Sequence, residues 1–234
     1  MEKEHPTQSH ILRPIRSFVR REGRMTPSQS DALSQYFRQF GVSLTSGPLN
    51  TSTLFGRDAP VILEIGFGMG DSLLAMAMAH PDLDYIGVEV HRPGVGSLLR
   101  GISKHQIKNL KIYQEDALEV LKQGLADQSL SGVQLFFPDP WPKARHHKRR
   151  LVQTDFARLV FQKLKPGGFF HMATDWAPYA EHMMSVLENL SEFTNRYGKN
   201  QFASDRASRI ETKFERRGLK LGHDVFDLVY IRCP

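Results

Sequence analysis

The sequence predicts an α/β protein built on a doubly wound, largely parallel sheet. Two patterns and a size carry that expectation. The strand-sized runs VILEIG, DYIGVEV, LKIYQED, VQLFFPD and GFFHMATD are continuously apolar rather than alternating, as strands buried on both faces are. Helix-sized stretches separate them, and strand–helix alternation implies βαβ units. With 234 residues the chain can bury one sizeable core.

Taken in order, residues 1–25 are polar and dotted with Arg13, Arg16, Arg20, Arg21 and Arg24. They predict a flexible basic arm, ahead of one domain over residues 26–234. TPSQSDALSQYF predicts a helix capped by Thr26, with Pro27 in its first turn. GVSLTSGPLNTS reads as a loop. From Pro60 the five strand runs alternate with the helical stretches DSLLAMAMAH, GVGSLLRGISKHQ, DALEVLKQGL and LVQTDFARLVFQKL, and PYAEHMMSVLENL follows the fifth strand. Beyond Leu190 the pattern loosens. ETKFERRG reads as a short helix or loop, and DVFDLVYIRC as a last strand.

Composition excludes several classes. An apolar fraction of 40% and a charged fraction of 24% are those of an ordinary soluble chain. The formal net charge of +6 leans toward a polyanionic partner. Cys233 is the only cysteine, which leaves no disulfide framework and no cysteine-based metal site. The polar start MEKEHPTQSH has no signal-peptide core, and no apolar run reaches the roughly 18 residues of a membrane span. A cytoplasmic location is expected. Neither G-x-S-x-G nor a Walker A pattern occurs, so hydrolase and NTPase readings lack a motif.

In a doubly wound sheet, ligands bind outside the carboxyl ends of the strands. The first strand run ends in Glu64, then Gly66, Gly68 and Gly70, glycines that let the backbone turn tightly beside a ligand. A dinucleotide fingerprint would place its last glycine at position 71, where this chain has Asp71. An acid at a helix N-terminus would also repel a pyrophosphate. The loop is therefore suited to a nucleoside cofactor without phosphates, such as S-adenosylmethionine. Glu89 ends the second strand run, 19 residues after Gly70, near the spacing of an acid that grips a ribose diol. Asp116, after the third, suits an adenine amino group or a helix cap.

The fourth run delivers Asp139 between Pro138 and Pro140, which restrict the backbone on both sides. Five Lys/Arg and two His follow within the eight residues Lys143 to Arg150. The fifth run delivers Asp175, followed by Trp176. His146 and His147 have no acidic or cysteine companion at ligand spacing, so no metal site is expected.

The motifs EIGFGMG, GVEVHRPGVGSLL, QEDA, FPDPWPKARHHKRRL, ATDW and TKFERRG occur in this order, and in this the chain resembles the bacterial tRNA (guanine-N7-)-methyltransferases from about Val61 to Ile231. The Pro-Asp-Pro-Trp segment with its basic tail is the most specific of them. The resemblance implies a class I methyltransferase sheet of seven strands with the last antiparallel, S-adenosylmethionine as cofactor and tRNA as partner, with no stable protein partner. It also implies methyl transfer to N7 of a guanosine in the variable loop. Glu64, Glu89, Asp116 and Asp139 match the family's cofactor-contacting acids, Asp139 also its catalytic position. Lys143 and Asp175 match substrate contacts, as do Thr212, Lys213, Phe214 and Glu215. Arg145, His146, His147, Lys148, Arg149 and Arg150 match an RNA-contacting segment.

The chemistry agrees. Asp139 would orient the acceptor beside the cofactor, and the basic run would grip phosphates near the target base. A carboxylate can accept from guanine N1–H and N2–H together, which adenine cannot offer. Asp175 and Glu215 are both candidates. A flipped base would stack on Trp141 or Trp176. A methyltransferase for protein or small molecules, an RNA-binding module with a disused cofactor fold, and a dehydrogenase are the alternatives. The basic run, the strand-end acids and Asp71 stand against them in turn.

Overall fold

The computed structural model describes residues 23–44, 47–206, 209–211, 215–216, 222 and 224–234. Apart from Gly23, Arg24 and Met25, the expected arm lies outside the described residues, as do Thr212, Lys213 and Phe214.

Helix α1 (Pro27–Phe40) begins where the sequence places it. Thr26 Oγ1 accepts from Gln29 N–H at 3.3 Å, and Gln29 Oε1 accepts from Thr26 N–H at 2.9 Å, a complete capping box. The stretch read as a loop carries two short elements. β1 (Gly41–Val42) pairs parallel to β4 (Leu110–Tyr113), and α2 (Thr51–Phe55) is capped by Asn50. Two residues are too few to show a strand period, which is why β1 is silent in the sequence.

The alternation from Pro60 gives β2 (Val61–Ile65), α3 (Asp71–Ala79), β3 (Asp84–Val88), α4 (Arg92–His105) and β4, then α5 (Ala117–Glu119), which widens into a π-helical turn over Val120–Gly124. β5 (Leu130–Phe136), α6 (Thr154–Lys163), β6 (Leu164–Thr174) and α7 (Ala177–Glu188) follow. β7 (Phe193–Asn195) is the strand that the loosened pattern left unplaced, and β8 (Phe226–Arg232) is the last.

One eight-stranded sheet runs β1-β4-β3-β2-β5-β6-β8-β7. The seven expected strands are present, and β1 is added at the edge. β1 to β6 are mutually parallel, and β8 is antiparallel to both β6 and β7. Alternate residues of each strand face opposite layers. Leu63, Val133, Phe170 and Leu228 meet Phe156 and Val160 of α6 and Tyr179 and Met183 of α7 in one core. Ile62, Tyr85 and Ile112 meet Leu73 of α3, Leu98 and Ile102 of α4 and Ala32 of α1 in the other. Strand order reverses between β2 and β5, which pair directly. That switch point brings the glycine loop after β2 next to the Pro-Asp-Pro turn after β5.

Candidate active site

A cleft of about 230 Å³ opens at the switch point, lined by Gly66, Glu89, Asp116, Phe136, Phe137 and Asp139 among others. The loop on its β2 side needs glycine. Gly66, Gly68 and Gly70 have φ of 75°, 57° and 80°, a left-handed run that other residues disfavour. A Cβ added to Gly66 or Gly68 would meet nothing, so the loop presents bare backbone to open space. Behind it, a Cβ on Gly94 would overlap the Gly68 carbonyl oxygen, so only glycine lets α4 press this close to the loop.

Glu89 does more than end a strand. Its Oε2 accepts from Gly68 N–H at 2.9 Å, and its Oε1 accepts from Val90 and His91 N–H at 2.8 and 2.9 Å. The carboxylate thus fixes the glycine loop to the start of α4 as well as facing the cleft. Asp116 caps α5, its Oδ1 accepting from Leu118 N–H at 2.9 Å, and it also lines the cleft.

Glu64 is 3% exposed, and its Oε2 has no hydrogen-bond partner among the described residues. Burial, with a smaller contribution from Glu89, pushes its carboxyl up to about 8. The neighbour across β5 is Gln134, whose Oε1 is also unsatisfied. The folded protein therefore keeps a proton on Glu64 that the unfolded chain would release near the ordinary 4.5. The stability this gives is complete below that value and is lost as pH rises to about 8. Glu64→Gln should accordingly lose less melting temperature than wild type between about pH 6 and about pH 9. Scanning calorimetry of both proteins checks this, and equal losses would show Glu64 already ionised.

The β5 side is a constrained turn. Phe137 and Trp141 have φ of 51° and 45°, an uncommon conformation for bulky residues that costs of order 1–3 kcal/mol at each. Neighbours hold it in place. Phe137 N–H donates to the Ala173 carbonyl at 2.8 Å. Arg150 donates from Nε to the Pro140 carbonyl at 3.0 Å and from Nη1 to the Pro178 carbonyl at 3.3 Å, with its guanidinium 4.9 Å from the Tyr179 ring centre. The prolines alone do not fix Asp139, which is exposed at the tip of this braced turn.

This corrects one expected role. Arg150 is 4% exposed and faces inward as the brace of the turn, so it does not join an outward phosphate-gripping surface. The rest of the basic run forms a 3₁₀ turn over Ala144–Arg149, with Lys143 at its start. Lys143, Arg145 and Lys148 are exposed, and His146, His147 and Arg149 are half-buried. The Arg149 guanidinium stacks 3.9 Å from the Trp141 ring centre, and His146 meets that ring edge-on at 5.8 Å. Slight burial and then the charges of Arg145, Arg149, Lys143 and Lys148 lower the His146 pKa below its ordinary value.

On the β6 side, Asp175 is half-buried and Trp176 is 38% exposed at the start of α7. Glu215 is separated from solvent. It is 2% exposed and bound by Arg209 and by Arg206, the latter at 2.7 Å. Burial pushes its carboxyl up, but these two arginines outweigh that and hold it below its ordinary value. Arg209, Asp227 and His171 were not among the expected site residues. A histidine inside GFFHMATD and an aspartate inside DVFDLVY, both in otherwise apolar strands, were the available signal, since ionisable residues in such runs need buried partners.

The polar side chains among the residues lining the cleft are all carboxylates, set among apolar side chains and bare glycine backbone, and buried Glu64 carries an oxygen unmatched among the described residues. This donor set fits ribose hydroxyls, an adenine and a cationic amino-acid tail, and it would repel a pyrophosphate. Fold and site define an S-adenosylmethionine-dependent methyltransferase of class I. The solved structures agree in fold. A 16S rRNA methyltransferase, KamB, superposes with a TM-score of 0.58 at 14% identity, covering 79% of this chain and 93% of that one. The 16S rRNA (adenine(1408)-N(1))-methyltransferase from Catenulisporales acidiphilia gives 0.52 at 16% identity, covering 78% and 90%. The family model described as "Putative methyltransferase" matches residues 58–228. A tRNA (guanine-N(7)-)-methyltransferase from Alkalilimnicola ehrlichii is 58% identical over 93% of this chain and 92% of its own length. One from Salmonella typhimurium is 54% identical over 94% and 92%. The chain belongs to the tRNA (guanine-N7-)-methyltransferase family.

Proposed function

We propose that this protein transfers a methyl group from S-adenosylmethionine to N7 of a guanosine in the variable loop of tRNA. The observation that carries the reading is the braced turn that sets Asp139 at the lip of the cofactor cleft, directly before the basic 3₁₀ turn. When bound, S-adenosylmethionine supplies an electrophilic methyl group. Gly66, Gly68, Glu64, Glu89 and Asp116 would hold it, and Asp139 would stand between it and the acceptor. Guanine N7 offers an in-plane lone pair and has no proton to lose, so Asp139 orients the base and offsets its growing positive charge.

Of the two candidates for the guanine edge, Asp175 is favoured on exposure: it is half-buried after β6, whereas Glu215 is 2% exposed. Trp176 is favoured as the stacking surface, because Arg149 covers one face of Trp141. A tRNA substrate and a single cysteine suit a cytoplasmic enzyme. No described helix is long and apolar enough to cross a membrane. Nucleoside analysis after incubating the protein with tRNA and methyl-labelled cofactor tests the reading. The label should co-migrate with 7-methylguanosine, and label in N1- or N2-methylguanosine or in protein would refute it.

The clamp is also testable. Lys148 is exposed, so Lys148→Ala should weaken tRNA binding alike across sequences and reduce the salt slope by roughly one. Arg150→Ala should instead lower the melting temperature, by removing the brace of the Pro-Asp-Pro turn. Binding isotherms at several salt concentrations, with melting curves, separate the two. An unchanged slope in Lys148→Ala would mark that lysine as ordinary solvated surface.

A further inference from the structure

We propose that Arg209 is a positioning residue for methyl transfer, fixing Glu215 behind the wall of the cofactor cleft. Its side chain is completely buried, and its guanidinium is shared between carboxylates from two segments. Nε donates to Asp227 Oδ1 at 2.6 Å and Nη2 to Asp227 Oδ2 at 2.8 Å, a two-pronged grip on β8. Nη1 donates to Glu215 Oε2, and Nη2 also reaches Glu215 Oε1 at 3.2 Å. The same guanidinium lies over Phe136 and Phe137, 5.8 and 5.5 Å from their ring centres. Both rings line the cleft, and Phe137 begins the turn that carries Asp139. From the far side Asp227 holds His171 of β6 at 2.7 Å, and the His171 ring meets Phe136 edge-on at 5.0 Å. One side chain thus joins Glu215, two strands and the cleft wall.

Stability is a poor explanation for this arrangement, because a buried ion cluster seldom outperforms well-packed apolar residues. Geometry is a better one. A guanidinium has a planar fork that can serve two carboxylates in fixed directions, whereas an ammonium is a single point charge. The inference rests on the proposed methyl transfer and on the substrate contact that the family resemblance implies for Glu215.

Two variants of the full chain test it. Arg209→Lys keeps the charge and loses the fork. Arg209→Met combined with Asp227→Asn removes the buried charge in a balanced pair. The second substitution leaves a carboxamide on β8 that can still bond His171, and Glu215 keeps its Arg206 partner. Both variants are measured by thermal melting, by cofactor and tRNA titration, and by single-turnover methylation with both substrates saturating. The expected result is a folded protein whose cofactor affinity stays within about twofold and whose tRNA affinity stays within about threefold, while single-turnover transfer falls tenfold or more. A folded double variant that transfers at the wild-type rate overturns the proposal. So does failure of both variants to fold, which would make the cluster a folding device alone. If wild type methylates tRNA at an atom other than guanine N7, the functional reading fails, yet the ratio of variant to wild-type rates still decides the role of Arg209.

Discussion

A tRNA carrying 7-deazaguanosine at the target position is expected to accept no methyl group. The analogue replaces N7 with a C–H, which removes the lone pair and leaves the Watson–Crick edge, the stacking faces and the phosphates as they were. The features proposed to select the substrate should therefore still be engaged: Asp175 at the base edge, Trp176 at the ring face, and the exposed Lys143, Arg145 and Lys148 at the backbone. Binding should be nearly unchanged while product disappears. Titration of the analogue tRNA, followed by single-turnover assay with labelled cofactor, reads both halves. Any label on the analogue would show that another atom accepts the methyl group.

Asp139→Asn is expected to slow single-turnover transfer on the order of 10²-fold, the effect of removing one preorganised electrostatic contact. The substitution keeps the size and planarity of the side chain and removes its charge. Phe137, Arg150 and the two prolines hold the turn from outside the Asp139 side chain, so its shape should survive and the melting temperature should change little. The lost rate then reports the charge facing an acceptor ring that becomes cationic. Because N7 has no proton to surrender, wild-type transfer should also show a solvent deuterium isotope effect near unity. A large isotope effect would make Asp139 a general base. A variant with wild-type rate would remove it from the chemistry.

The Pro-Asp-Pro turn shows both how far the sequence could be read and where reading stopped. The acid, its flanking prolines and the cations after it are adjacent in the chain, so local pattern exposes them as one unit. Arg150 belongs to the same run and carries the same charge as its neighbours. Its inward course depends on the carbonyls of Pro140 and Pro178, ten and 28 residues away, and no local rule brings them together. Glu89 was legible as a strand-end acid, but its grip on Gly68 follows from how closely α4 packs behind the loop. Glu215 was legible as a candidate reader of guanine. Its capture by Arg209 and Arg206, the first of which also grips Asp227 of β8, joins residues that no local pattern pairs.

By itself the sequence determined the parallel sheet, the order of strands and helices from Pro60 to Leu190, the glycine loop, and the acids at the strand ends. These follow from period, turn chemistry and adjacency, which act over a few residues. Only the tertiary structure decided which charges face the cleft and which are spent on holding it. It brought β1 to the sheet edge, turned Arg150 inward, left Glu64 buried with an unmatched oxygen, and joined Arg209 to Asp227 and Glu215. The physical reason is that a charge takes its role from its surroundings. Burial and partner geometry set its protonation and its direction, and both arise from contacts between segments that are distant in the chain.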